Sequence, residues 1–147
     1  MLSFLGTYEY SVDQKGRLSI PSIFRSKTDS PEGEHFVVTP DPRGCLNIYN
    51  TETWNPKQAK YDKLDDDDPK VAHYLHKVLD SARHVYTDTM GRITIPQNLL
   101  EKARIKKDAV IKGVSKKFEV WDPAVLAEYE KYLDSLADGI NLDKTPG

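Results

Sequence analysis

A pattern of eleven residues occurs twice in this chain, 75 residues apart. The first copy begins at Ser11 and reads SVDQKGRLSIP, the second begins at Tyr86 and reads YTDTMGRITIP, and five of the eleven positions are identical. Strand-like segments at 46–49 and 118–121 repeat as well. Two copies of one small unit explain this self-similarity. Because each copy spans only about 45 residues, it cannot bury a sufficient core alone, so the copies should pack on each other or on other chains.

A tight turn of the form Asp-x-x-Gly-Arg lies inside each copy, at residues 13–17 and 88–92. Its aspartate can accept backbone N–H groups, and its glycine can adopt the positive φ that closure of a hairpin requires. Strand-like residues flank each turn, so the arginine is predicted at a hairpin tip or one residue inside it. The candidate functional residues are Asp13, Lys15, Gly16, Arg17, Asp88, Gly91 and Arg92.

Helices are predicted around these strands. A proline ends the second strand of each copy and suits the first position of a short helix. Two longer helices open at Asp68-Pro69 and Asp122-Pro123, and each has an apolar stripe that must be covered. The predicted division is repeat 1 at 7–54, a helical linker at 55–82, repeat 2 at 83–126, and a C-terminal helix and tail at 127–147, with fraying from residue 139.

Positive charge is concentrated in one part of the chain. The formal net charge is -2, yet residues 83–117 hold nine basic and three acidic side chains. Residues 31–82 and 118–147 are acidic overall. A local positive field can attract phosphate while the remaining surface repels it, and an ordinary solvated face gives the same pattern. The acidic run at 65–68 argues against tight DNA binding by a single subunit.

Composition and motifs exclude several classes of protein. No stretch is apolar enough for a membrane helix, and the N-terminal residues lack the features of a secretion signal, so we expect a cytoplasmic protein. Cys45 is the one cysteine, which rules out a disulfide framework. His73 and His76 near the acidic run lack a third metal ligand at a defined spacing. Since no catalytic motif occurs either, we predict no enzyme, no metal and no cofactor.

The arginine turns suggest two different roles. An arginine fixed at a hairpin tip can pair bidentately with guanine in the major groove or straddle a phosphate, and Lys15 adds a second cation to the first turn. Alternatively, Arg17 and Arg92 pair with Asp13 and Asp88 and only close the turns. Two copies with the same arginine suit a pseudo-symmetric module that faces a repeating ligand such as DNA.

Four segments carry a resemblance to a known family. They are Val12 to Arg17 with Ile20-Pro21 and Arg25, Gly44 to Leu46 with Ile48-Tyr49 and Trp54, Asp88 to Ile93 with Pro96, and Phe118 to Trp121. In this order, from about Gly6 to Tyr129, the chain resembles the MraZ family of bacterial transcriptional regulators.

The resemblance implies both a fold and a function. The implied fold is α+β, a double swapped-hairpin, AbrB-like β-barrel formed by two pseudo-symmetric SpoVT-AbrB-type repeats with flanking helices. The implied function is repression of the division and cell-wall gene cluster, through a homo-oligomeric ring that binds repeated promoter boxes in double-stranded DNA on the nucleoid. A ring offers many turns at once, so each contact after the first is effectively intramolecular.

The resemblance also assigns roles to the turn residues. It implies that Arg17 and Arg92 contact DNA, that Asp13 and Asp88 hold them, and that Lys15 assists. In the second turn, the position of that lysine is taken by methionine, so the two halves need not contribute equally.

A protein-binding module is the alternative. Related swapped-hairpin barrels serve as antitoxins that bind a toxin chain, and the acidic last segment with Trp121, Tyr129 and Tyr132 could dock such a partner. A toxin-wrapping tail is usually long and disordered, whereas this segment has helical periodicity. We therefore expect it to pack on its own barrel or on a neighbouring subunit.

Overall fold

The two copies each supply four strands to the structure. The computed structural model describes residues 3–26 and 31–136. The strands of the first copy are β1 (Thr7–Ser11), β2 (Arg17–Ser19), β3 (His35–Pro40) and β4 (Leu46–Asn50). Those of the second are β5 (Arg83–Tyr86), β6 (Arg92–Thr94), β7 (Asp108–Gly113) and β8 (Phe118–Trp121). The helices are α1 (Thr51–Asp62), α2 (Pro69–Leu79), α3 (Gln97–Lys102) and α4 (Pro123–Ser135), with a single 3₁₀ turn at Ser22–Phe24. The predicted fraying from residue 139 lies outside the described residues.

Strands of the two copies interlock. Six strands form one antiparallel sheet in the order β1-β7-β8-β4-β3-β5, and β2 pairs with β6 in a second ladder. The first strand of each copy pairs with the third strand of the other, and the fourth strands pair at the centre. The copies therefore pack on each other, as predicted, and the α+β fold with two repeats is confirmed. Closure into a barrel and the domain boundaries stay predictions.

The hydrophobic core draws on both copies. Leu18 of β2 and Ile93 of β6 lie directly opposite each other and are fully buried. Phe24 and Leu99, which lie 75 residues apart at equivalent positions of the two copies, are buried as well. Burial of a large apolar side chain contributes about 1.5–3 kcal/mol. Neither copy could bury these side chains without the other.

The predicted hairpins are wrong in one respect. β1 and β2 meet only at a single bridge between Val12 and Leu18 and then enter different ladders. β5 and β6 separate in the same way. Pairing β2 with β6 sets Leu18 of one copy opposite Ile93 of the other, so the two copies bury these side chains in one shared core. Each arginine turn therefore joins two ladders instead of closing a long hairpin.

Polar caps start the three long helices. Asn50 accepts a hydrogen bond from Thr53 N at 3.0 Å, and Asp122 accepts one from Ala124 N at 3.0 Å. Asp68 caps α2, so both predicted aspartate caps are confirmed. Within residues 3–26 and 31–136, no helix has the length and apolar character needed to cross a bilayer.

A polar network lies beside α4, next to the centre of the sheet. Arg43 donates from Nε to Asp41 Oδ1 at 2.9 Å and from Nη2 to Asp41 Oδ2 at 3.0 Å, and Nη2 also contacts Glu119 Oε2. Its guanidinium carbon lies 5.8 Å from the ring centre of Trp121 and 5.9 Å from that of Tyr129. Although burial raises the pKa of Asp41, the hydrogen bonds from Arg43 outweigh it and hold this pKa well below its usual range.

Candidate nucleic-acid interface

The carboxylate of Asp13 organises the first arginine turn. Oδ1 accepts hydrogen bonds from the backbone N–H of Lys15 at 2.9 Å and of Arg17 at 2.8 Å, and Oδ2 accepts one from Arg17 Nε at 2.6 Å. Gly16 N donates to Asp13 O at 2.9 Å, and Gly16 has a φ of +81°. One side chain thus fixes both the backbone of the turn and the base of the guanidinium.

The second arginine turn repeats this set of hydrogen bonds. Asp88 Oδ1 accepts from Met90 N and from Arg92 N, each at 2.9 Å, and Asp88 Oδ2 accepts from Arg92 Nε at 2.8 Å. The backbone N–H of each arginine is the main cause that lowers the pKa of the two aspartates. Both carboxylates therefore stay ionised at neutral pH, and the same geometry follows from the same five-residue pattern.

Both arginines fill one of the two predicted roles, the closing of the turns. Nε of Arg17 and of Arg92 is occupied by the turn aspartate, so the arginines do close the turns. Their side chains are 32% and 25% exposed. The terminal Nη atoms make no hydrogen bond to any residue of 3–26 or 31–136. Each guanidinium is therefore held at its base and presents two donor groups at its outer edge.

The two arginines share one face of the β2–β6 ladder. Leu18 and Ile93 form its central pair, and Arg17 and Arg92 precede them on the two antiparallel strands. Because successive side chains alternate between faces and the central pair faces the core, both arginines project outward. They lie two rungs apart, about 7 Å along the strands. We call this unit the arginine ribbon, and a two-stranded ribbon is an element that the major groove admits.

Each turn is also tied to the opposite copy. Ile95 N donates to Gly16 O at 2.9 Å, and Ile20 N donates to Gly91 O at 3.0 Å. The turn glycines are tightly surrounded: a Cβ on Gly16 would lie 2.9 Å from Ile95 O. The predicted site residues of the two copies are thus brought together in one structure, and strand exchange between the copies is what joins them.

We expect Gly16→Ala to destabilise the protein more than Gly91→Ala. Both positions have positive φ, which costs an alanine about 1–2 kcal/mol. At Gly16 the added methyl also meets a backbone oxygen, whereas at Gly91 it meets the movable guanidinium of Arg25. Thermal unfolding at equal subunit concentration measures the difference. An equal decrease in melting temperature for the two variants would show that backbone crowding at Gly16 is unimportant.

Arg25 was not among the predicted site residues, yet it reaches the second arginine turn. Its guanidinium lies against Gly91, and its Nε donates to Ile20 O at 3.2 Å. The equivalent position in the second copy is Leu100, whose Cδ1 would lie 3.6 Å from a Cβ on Gly16. Sequence spacing alone does not place Arg25 here, because the turn that it contacts belongs to the other copy.

Each arginine turn therefore has one further cation. Lys15 is exposed in the first turn, and Met90, which takes its place in the second, is 69% exposed. Arg25 supplies the positive charge that the second turn lacks. Both additional cations come from the first copy: Lys15 lies within its own turn, whereas Arg25 reaches across to the turn of the second copy.

The basic residues at the end of α3 and just after it have different surroundings. Lys102 Nζ donates to Ser81 Oγ at 2.9 Å. Arg104 and Lys106 line an open cavity of about 750 Å³ next to Gln14 of the first turn. The same cavity is lined by four acids, so the positive charge of Arg104 and Lys106 is offset there by Asp13, Glu101, Asp122 and Glu128.

Comparison with protein families matches nearly the whole chain. Residues 3–72 and 78–145 fit a family model described as "MraZ protein, putative antitoxin-like". The chain belongs to the MraZ family. The resemblance inferred from the arginine turns and the surrounding segments is thereby confirmed.

Several relatives in the MraZ family are named transcriptional regulator MraZ. The relative from Acetivibrio thermocellus is 41% identical over 126 residues, which cover 86% of this chain and 85% of that protein. The relative from Ligilactobacillus salivarius is 34% identical over 141 residues, covering 93% of this chain and 96% of that protein. A third, from Nitrosomonas europaea, is 36% identical over 121 residues and covers 82% of each chain. MraZ is a family of transcriptional regulators and not of enzymes, in agreement with the prediction from motifs.

Proposed function

We propose that this protein is a sequence-specific transcriptional repressor that binds double-stranded DNA through the arginine ribbon. The observation that carries the proposal is the shared outer face of Arg17 and Arg92, each held at Nε by an aspartate and open at Nη. Relatives across the aligned length are named transcriptional regulators. Regulation of transcription by direct DNA contact requires outward cationic groups at fixed positions, and the ribbon supplies them.

The ribbon enters the major groove and its arginines read base edges. The two Nη groups of a guanidinium match guanine O6 and N7, or two oxygens of a phosphate. Since the aspartates already fix the arginine side chains, binding loses less side-chain entropy, a cost of about 0.5–1.5 kcal/mol for each flexible side chain. Lys15 and Arg25 contact the flanking phosphates and position the ribbon without selecting a sequence.

A homo-oligomeric ring makes this binding strong. One subunit has a net charge of -2 and presents a single ribbon, so its own contact with DNA is weak. Several ribbons on one ring engage repeated promoter boxes, and linked contacts raise the apparent affinity by about 10²–10⁴. The interlocked ladders close as a double swapped-hairpin barrel in this proposal. The targets are the boxes upstream of the division and cell-wall gene cluster, so the protein works in the cytoplasm on the nucleoid.

A footprint on the DNA upstream of the protein's own gene, measured over a range of salt concentrations, tests this function. We expect protection at evenly spaced boxes, and an association constant that falls steeply with salt. The slope of its logarithm against the logarithm of salt concentration should be about -0.9 for each phosphate neutralised. Absence of protection, or an affinity that does not respond to salt, contradicts the proposal.

An antitoxin-like protein-binding module is the second candidate function. The description of the family model favours it, and α4 offers an acidic surface with exposed Tyr132, Leu133 and Leu136. A partner bound there would not depend on the arginine ribbon. Binding of a protein that persists unchanged when Arg17 and Arg92 are replaced would support this candidate over the repressor.

A further inference from the structure

Helix α2 carries an apolar stripe that the described residues of this subunit cover only in part. None of its eleven residues, all of which the structure describes, is buried. Tyr74 is 49% exposed and lies between Lys70 and Lys77, one helical turn away on either side. We call these three residues the α2 face. Residues 69–79 contain no acid, so this face combines an exposed aromatic ring with positive charge.

The second half of α4 has a complementary surface. Val125 is buried near the start of this helix, but every residue from Glu130 to Leu136 is exposed. Its apolar stripe continues as Tyr132 at 59%, Leu133 at 43% and Leu136 at 48% exposure. The helix carries three acids and one lysine between residues 123 and 135. We call residues 130–136 the α4 face.

The two faces match in their pattern of charge. On α4, Glu128 precedes Tyr132 by one turn and Glu130 precedes Leu133 by three residues, so acids border the apolar side chains. On α2, lysines border the tyrosine in the same way. An apolar centre with a rim of complementary charge is the usual composition of a specific interface.

A cavity beside α2 offers room for a large apolar side chain. It has a volume of about 260 Å³ and lies at the junction of α1 and α2. Its apolar lining consists of Tyr61, Leu64, Leu75 and Leu79, with Asp62 and Asp66 also at its wall. Lys131, the single base of α4, has the charge opposite to that of these two carboxylates.

We propose that the α2 face of one subunit binds the α4 face of the next. The two faces lie on different helices of one chain, so the contact is head-to-tail, and a head-to-tail contact forms a ring when its rotation closes. The inference rests on the ring of the proposed function and assigns the surfaces that build it. It also explains why Tyr74 on α2 and the apolar side chains at the end of α4 are exposed in one subunit.

Two variants, each altered in one face, test the assignment. The first carries Lys70→Glu, Tyr74→Glu and Lys77→Glu, and the second carries Tyr132→Glu and Leu133→Glu. All five positions are exposed, so the fold is retained, which circular dichroism verifies. We expect each variant alone to be a monomer of 16.7 kDa at concentrations where the unaltered chain assembles. The dissociation constant of assembly should rise about 100-fold or more, as loss of central interface contacts implies.

Mixing the two variants gives the decisive result. Each still has one intact face, so an equimolar mixture should form a dimer of twice 16.7 kDa and nothing larger, measured by sedimentation or light scattering. A mixture that stays monomeric overturns the head-to-tail pairing. Variants that keep the mass of the unaltered assembly overturn the choice of surfaces and leave the ring itself intact; coverage of the α2 face by residues 137–147 would give this result. A monomeric unaltered chain refutes the ring and this inference together, whereas DNA binding is measured separately.

Discussion

Replacing Arg17 and Arg92 together by alanine lowers the affinity for promoter DNA by about 100-fold or more, because each bidentate pair with a base contributes about 1–3 kcal/mol. The fold should survive the change. Asp88 is exposed and Asp13 is partly exposed, and both keep their hydrogen bonds from the backbone N–H groups of the turn, so no charge is left buried. Gel-shift titrations with the promoter fragment measure the loss, and sedimentation shows that the assembly is unchanged.

Two matched controls show whether a loss of affinity comes from the arginine ribbon itself or from the loss of positive charge in general. Lys60→Ala with Lys116→Ala removes the same charge from exposed positions outside the arginine ribbon, and we expect little effect on affinity. Arg17→Lys with Arg92→Lys keeps the charge and loses the planar fork, so preference for the promoter over unrelated DNA should fall while salt-dependent binding remains. If the alanine double variant still binds the promoter normally, the ribbon is not the DNA-contacting site.

Arg43→Met is expected to cost about 3 kcal/mol of stability, at the lower end for breaking a buried ion pair because Arg43 itself is partly exposed. Methionine keeps the apolar contact with Trp121 and Tyr129 but leaves Asp41 and Glu119 without their cation. The side chain of Glu119 is only 7% exposed, so little water reaches it. For a chain of this length, we expect the melting temperature to fall by roughly 10 °C at fixed subunit concentration.

A second substitution separates charge from packing. In the double variant Arg43→Met with Glu119→Gln, most of the lost stability should return, because a neutral amide can still accept the hydrogen bond from Trp121 Nε1 that Glu119 now accepts at 2.9 Å. DNA binding by the folded double variant should be normal. If the Arg43→Met variant has the same melting temperature as the unaltered chain, Arg43 does not hold this network together.

Local chemistry made part of the molecule predictable from sequence. The aspartate caps of α2 and α4 and the geometry of both arginine turns depend on residues within five positions of one another. Equivalent core positions such as Phe24 and Leu99 followed from the repeat. These features were found because their cause lies in short stretches of chain.

Contacts between distant residues could not be predicted in this way. The predicted hairpins failed because β2 prefers β6, a strand about 75 residues away, and no local signal distinguishes that partner from β1. Arg25 reaches Gly91 only as a result of this exchange. The pair of Arg43 and Glu119 joins a loop of the first copy to strand β8 of the second, and the sequence contains no mark that associates them.

The two arginine turns have different neighbouring side chains, so the two halves of a subunit are not equivalent. Lys15 and Leu100 surround the first turn, whereas Met90 and Arg25 surround the second. A dimer of identical chains is obliged to treat both strands of a double helix alike and so favours palindromes. In the proposed binding mode, a single chain with two divergent halves has no such obligation. The two ends of its recognition sequence would then be free to differ, and an asymmetric box would orient the bound protein relative to the regulated gene.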